Sequence, residues 1–191
     1  DCGRETDSVF IVPDYLPGSL AKRMDRGKFL TNRQAVKTAH QIGRALDYAH
    51  QHGILHGNVK PENILYSGTG AVKVSDFGIS KCMAFSRHRG HLPTRASLFY
   101  SAPEQIKGVR VDHRSDIYSL GKLLKEMVMG TIPLSEEGIF ANYTGQIGLP
   151  GFFADNEALM PRTILSVIDR ATSQMPDDRY NSMSDMILDL Q

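Results

Sequence analysis

Three short blocks, standing in order along the chain, constrain this sequence more than anything else in it. The first is His56-Gly57-Asn58-Val59-Lys60-Pro61-Glu62-Asn63. Thirteen residues after Asn63 comes Asp76-Phe77-Gly78, and further on stands Ala102-Pro103-Glu104. Each piece alone says little. Asp-Phe-Gly is a common turn tripeptide, a single histidine is most often a packed core residue, and a single lysine is a solvated charge. Joint order and spacing give the blocks their force.

Regular elements can be placed around them. Val9-Phe10-Ile11-Val12 is a short β-branched apolar run and reads as a strand, broken by Leu16-Pro17-Gly18-Ser19-Leu20. Thr31-Asn32-Arg33-Gln34 has the form of a capping box. Behind it Ala35, Ala39, Ile42, Leu46 and Ala49 recur at helical spacing to about His52, with Gly53 as the stop. Two short strands, Asn63 to Tyr66 and Val72 to Ser75, flank Ser67-Gly68-Thr69-Gly70 as a hairpin. A polar, irregular stretch runs from about Ile79 to Arg95. Ile117, Leu120, Leu124 and Met127 mark a further helix, and two more are predicted over about 162–172 and 182–190. The sum is a mainly α chain with a few short strands.

Composition narrows the function. The 191 residues suffice for one domain or one large lobe, and the formal net charge of +1 offers no polybasic face for nucleic acid or an anionic membrane. Cys2 and Cys82 stand far apart and outside any CxxC or Cys/His pattern, which argues against a disulfide framework or a zinc site and for a reducing, cytoplasmic setting. No apolar run approaches the roughly 20 residues of a membrane helix.

Taken together, the three blocks resemble the catalytic half of a eukaryotic-type (Hanks-type) serine/threonine protein kinase. The resemblance covers essentially the whole chain, and the clipped motifs are similar to those of bacterial members. It implies a protein-kinase-like large lobe: a helical bundle with short β-hairpins around the catalytic loop. Residues 1–16 would be the last small-lobe strand and the hinge, and 17–191 the large lobe. The Gly-rich loop, the strand lysine and its helix glutamate would precede Asp1, so the chain reads as a segment of a longer protein. The cofactors implied are ATP and Mg²⁺, and the partner is a protein substrate or a regulatory protein. Asn63 and Asp76 match the metal-holding residues; their oxygens suit a hard cation. Lys60 matches the lysine that neutralises the transferring phosphate, and Ser97, five residues before Ala102, a hydroxyl that braces it. Asp14 and Leu16 would offer hinge backbone groups to adenine, Leu65 would lie beneath the ring, and Pro13 would stand at the gatekeeper position. His56 and Phe77 would be spine residues of the core. Asp116 would hold the catalytic-loop backbone, and Arg179 would pair with Glu104.

Two departures matter. Where the family carries its catalytic aspartate, this chain has Asn58, whose amide can neither take a proton nor bear charge at neutral pH. Where many kinases carry an arginine that pairs with a phosphorylated loop, it has Gly57. Ser86 and Thr94, among Lys81, Arg87, Arg89 and Arg95, are weighed as regulatory phosphosites against a plain solvated loop, which is favoured. Three readings follow: a kinase domain impaired by Asn58, or pseudokinase; an active Ser/Thr kinase that tolerates Asn58; and a nucleotide-free scaffold or interaction domain.

Overall fold

Thr31 starts the helix as its box predicts. Its backbone N–H donates to Gln34 Oε1 at 3.1 Å and its hydroxyl accepts from the Gln34 N–H at 3.3 Å, two donors satisfied reciprocally. The computed structural model describes residues 2–5, 8–11, 15–24, 30–78, 95–130 and 160–191. In it the strands are β1 (Cys2–Glu5), β2 (Ser8–Ile11), β3 (Gly18–Ser19), β4 (Ile64–Tyr66) and β5 (Val72–Val74). The helices are α1 (Leu20–Met24), α2 (Asn32–Gln51), α3 (Arg95–Tyr100), α4 (Pro103–Lys107), α5 (Arg114–Met129), α6 (Arg162–Ala171) and α7 (Met183–Leu188). Two 3₁₀ turns, Pro61–Asn63 and Pro176–Asp178, complete the described elements.

Helix α2 buries its predicted stripe: Ala35, Ala39, Ile42 and Leu46 are wholly inaccessible. It ends at Gly53, whose φ of 70° is the left-handed geometry glycine adopts without strain. Helix α5 goes beyond its predicted stripe. Ile117, Leu120, Leu124 and Met127 are buried, but so are Ser115, Asp116, Ser119, Lys122, Lys125 and Glu126 around the rest of its circumference. A helix covered on every side is a central strut, not an amphipathic surface helix. Helices α2 and α6 pack on it, and α7 packs on α2. Glycines set two of these approaches. A Cβ on Gly43 would lie 2.2 Å from Ile187 Cγ2, and one on Gly121 would lie 2.7 Å from Ala171 Cβ.

The predicted strand at 9–12 is β2, shifted by one residue, and it pairs antiparallel with β1, which sequence pattern did not reveal. Strands β3, β4 and β5 form a second antiparallel sheet in that order. Strand β4 begins at Ile64 because Asn63 belongs to the 3₁₀ turn opened by Pro61. Residue Arg95, predicted irregular, opens α3; the rest of the 79–94 stretch, with Lys81, Ser86, Arg87, Arg89 and Thr94, lies outside the described residues, as do Pro13 and Asp14. Among the described residues, no helix is long and apolar enough to cross a membrane.

Candidate active site

The loop at residues 54–60 has neither helix nor strand to hold it, so its shape is set by hydrogen bonds from outside. Asp116, in the first turn of α5, supplies two of them. Its Oδ2 accepts the His56 N–H at 2.9 Å and its Oδ1 accepts the Gly57 N–H at 2.7 Å. Oδ2 also accepts from His50 Nε2 at 2.8 Å. Three donors on a carboxylate with 1% exposure offset the cost of burying its charge. His56 is buried, and its ring lies 4.7 Å from that of the half-buried Phe77. Its Nε2 faces the Ser75 carbonyl at 2.9 Å, which can only accept, and its Nδ1 faces the Asn58 N–H at 3.2 Å, which can only donate. The imidazole is therefore the neutral Nε2–H tautomer. Burial, the largest influence, lowers its pKa and keeps it so, against the pull of Asp116.

Three of the predicted side chains, those of Asn63, Lys60 and Ser97, make hydrogen bonds at this loop. Asn63, nearly buried in its 3₁₀ turn, donates Nδ2 to the Asn58 carbonyl at 2.9 Å. Lys60, half-buried, reaches Nζ to Ser97 Oγ at 3.3 Å. The β4–β5 pairing extends one step past the strands: the Ser75 N–H donates to Asn63 O at 2.9 Å. Asp76 follows at once, exposed, so Asn63 and Asp76 sit at the same end of one hairpin. Asp76 has a φ of 65°, the left-handed region that aspartate and asparagine enter more readily than most residues. Leu65 is half-buried on β4, and its partner across the sheet is Ser19. Leu16, also half-buried, lies three residues before that partner.

The third block is locked from a distance. Arg179 meets Glu104 with a two-toothed fork, Nη1 to Oε1 at 2.7 Å and Nη2 to Oε2 at 2.8 Å. Its remaining N–H groups go to the carbonyls of Ser173, Arg114 and Gln174, so all five donors are used. The Ser115 hydroxyl adds a hydrogen bond to Glu104 at 2.6 Å. Burial alone would raise the Glu104 carboxyl; the fork and the hydroxyl outweigh it and hold the group below its ordinary range.

Sequence reasoning missed three groups. His50 at the end of α2 carries no local signal for its Asp116 contact. Glu126 on α5 is buried, and burial pushes its carboxyl up to about 7, with the Tyr100 hydroxyl donating to it and the charge of Glu62 nearby. Gln105 donates Nε2 to the Gly57 carbonyl at 2.9 Å. Its place three residues into α4 could have suggested a cap, but not a partner in the catalytic loop.

A helical lobe whose central helix clamps a catalytic-type loop, with a hairpin presenting Asn63 and Asp76 and a forked Glu–Arg pair behind, is the architecture of a protein kinase domain. The chain belongs to that family: the protein kinase domain model matches residues 1–187. Its relatives are serine/threonine-protein kinases of the bacterial type. It is 31% identical over 198 residues to the serine/threonine-protein kinase PrkC of Bacillus subtilis, covering 100% of this chain and 30% of that protein. It is 33% identical over 196 residues to the serine/threonine-protein kinase PknB of Mycobacterium tuberculosis strain H37Ra, covering 95% of this chain and 30% of that protein. The chain thus spans under a third of the length of the curated relatives it matches.

Proposed function

We propose that this chain is the large lobe of an ATP-dependent kinase that phosphorylates protein Ser/Thr hydroxyls, and that Asn58 leaves it impaired in transfer. Residues 1–16 are read as the last small-lobe strand and hinge, and 17–191 as the large lobe. The observation that carries this reading is the loop itself. Asp116, His56 and Asn63 hold the backbone around Asn58, and Lys60 rests on Ser97, while the side chain at position 58 is an amide. The scaffold for a general base is assembled and the base is absent.

The donor set fits a magnesium nucleotide. Asn63 spends its nitrogen on the Asn58 carbonyl, which leaves an amide oxygen as its hard donor, and Asp76 brings an exposed carboxylate to the same hairpin end. When bound, the ion would screen charge on the phosphate oxygens. Lys60 would place a cation beside the transferred group, oriented by the Ser97 hydroxyl. Adenine would lie against Leu65, with Leu16 and Asp14 at the hinge. Asn58 can orient a substrate hydroxyl through its carbonyl oxygen but cannot take its proton, a loss of about 10²- to 10⁴-fold where a general base is required. A cytoplasmic setting is supported by the two cysteines, which form no framework pattern.

A second reading, a working kinase that tolerates Asn58, is favoured by the intact Lys60–Ser97 contact, because a loose phosphoryl transition state asks little of a base. One experiment separates the two. Transfer of labelled γ-phosphate from ATP with Mg²⁺ is measured for the full-length parent beside Asn58→Asp. The impaired reading expects the parent to be silent or nearly so and Asn58→Asp to raise transfer by on the order of 10²-fold. A parent that already transfers, with no gain from Asn58→Asp, overturns it.

A further inference from the structure

The Gly57–Asn58 peptide is held at both of its polar ends. Its carbonyl, from Gly57, accepts Gln105 Nε2 at 2.9 Å, and its N–H, from Asn58, donates to His56 Nδ1 at 3.2 Å. One bond earlier, the Gly57 N–H is fixed by Asp116 at 2.7 Å. The clamps meet a specific need. Gly57 has a φ of 71° and no side chain, so nothing intrinsic to it stops the peptide from rotating. Rotation there would swing the Cα of Asn58 and everything it carries.

Gln105 is built to resist that rotation. Its Oε1 accepts the Ala102 N–H at 2.9 Å, which fixes which way the amide faces and aims Nε2 at Gly57. The helix that bears it is itself immobilised, because the neighbouring Glu104 is gripped by Arg179 and Ser115. The restraint therefore runs from Arg179, just past the Pro176–Asp178 turn, and from Ser115 on α5, through the first turn of α4, to the residue before position 58.

We propose that Gln105 is a positioning residue for position 58: it orients the side chain there by fixing the Gly57 carbonyl, without touching substrate or nucleotide. The inference rests on the reading above that position 58 faces the substrate hydroxyl. The informative variant is Gln105→Glu, which keeps the oxygen that caps Ala102 and removes the donor to Gly57; Gln105→Met serves if the carboxylate prevents folding.

Two arms test it in the full-length protein. In ¹⁵N-labelled parent, Gln105→Glu is expected to shift or broaden the side-chain amide signals of Asn58 and leave those of Asn32 unchanged. In the Asn58→Asp background it is expected to lower kcat by roughly ten- to a hundredfold with KM for ATP unchanged. Unmoved Asn58 amide signals overturn the proposal. So does a loss in which kcat and the melting temperature fall while KM rises, the mark of a merely structural role. If Asn58→Asp shows no transfer at all, the phosphotransfer reading fails, and the amide spectrum alone decides the positioning role.

Discussion

At the scale of single residues, charge burial decides what each group tolerates. Arg179 and Glu104 are a buried pair with every guanidinium donor used, so removing one partner strands the other. Arg179→Met is expected to cost about 3–5 kcal/mol, read as a lowered urea midpoint. Glu126 works in the opposite direction. Burial raises its carboxyl to about 7 in the folded chain, whereas an unfolded glutamate titrates near ~4.3. Between those values the folded state holds the extra proton, so this group lowers stability as pH rises through the window. Glu126→Gln is expected to flatten the stability profile between about pH 5 and 7, because the amide still accepts from Tyr100 and carries no charge to bury. Denaturation midpoints at the two ends of that window measure the slope for both proteins. The two pairs differ in legibility. Glu104 and Arg179 lie 75 residues apart, and only motif resemblance joined them in the sequence. The burial of Glu126 was invisible there, since a glutamate on a periodic helix reads as solvent-facing until the elements packed over it are known.

Elements were legible where their signals are local. The Thr31 box, the apolar stripe of α2 and the Gly53 stop are all written within a few residues, and all three stand in the fold. The hairpin around Ser67–Gly70 was legible for the same reason, its ends shifting by one residue where Pro61 draws Asn63 into a turn. The short helices α3 and α4 were not predicted; each makes fewer than two helical turns. Helix α5 was legible in position but not in environment. Its Gly121 is the sharpest case: a Cβ there would sit 2.7 Å from Ala171 Cβ and 3.0 Å from Thr172 Cγ2, on a neighbour that sequence does not name. Gly121→Ala is expected to destabilise the fold by about 1–3 kcal/mol through overpacking of α5 against α6. A gain of up to ~1 kcal/mol in helix propensity offsets part of that, so the net sign is the test. A variant with a raised midpoint would mean that α6 yields without loss.

For the molecule as a whole, the question is whether the proposed site binds a magnesium nucleotide. Asp76 is exposed and held at a φ of 65° by the hairpin in front of it, while Asn63 is nearly buried and spends its nitrogen inside the loop. On the proposed reading, such an arrangement keeps two hard oxygen donors in place whether or not a proton acceptor stands at position 58, so nucleotide binding and phosphoryl transfer would be separable. Binding to the folded state alone must raise stability, by about 2.7 kcal/mol when ligand exceeds its dissociation constant a hundredfold. The full-length parent is therefore expected to melt several degrees higher in ATP with Mg²⁺ than without, and to lose the Mg²⁺-dependent part of that rise on chelation. Asp76→Asn is the appropriate control, since asparagine also accepts the left-handed backbone and only the charge is removed. It should melt like the parent without ligand and gain little from Mg²⁺–ATP. A parent that gains nothing from the nucleotide at any concentration would turn the choice towards a scaffold whose catalytic loop survives only as packing.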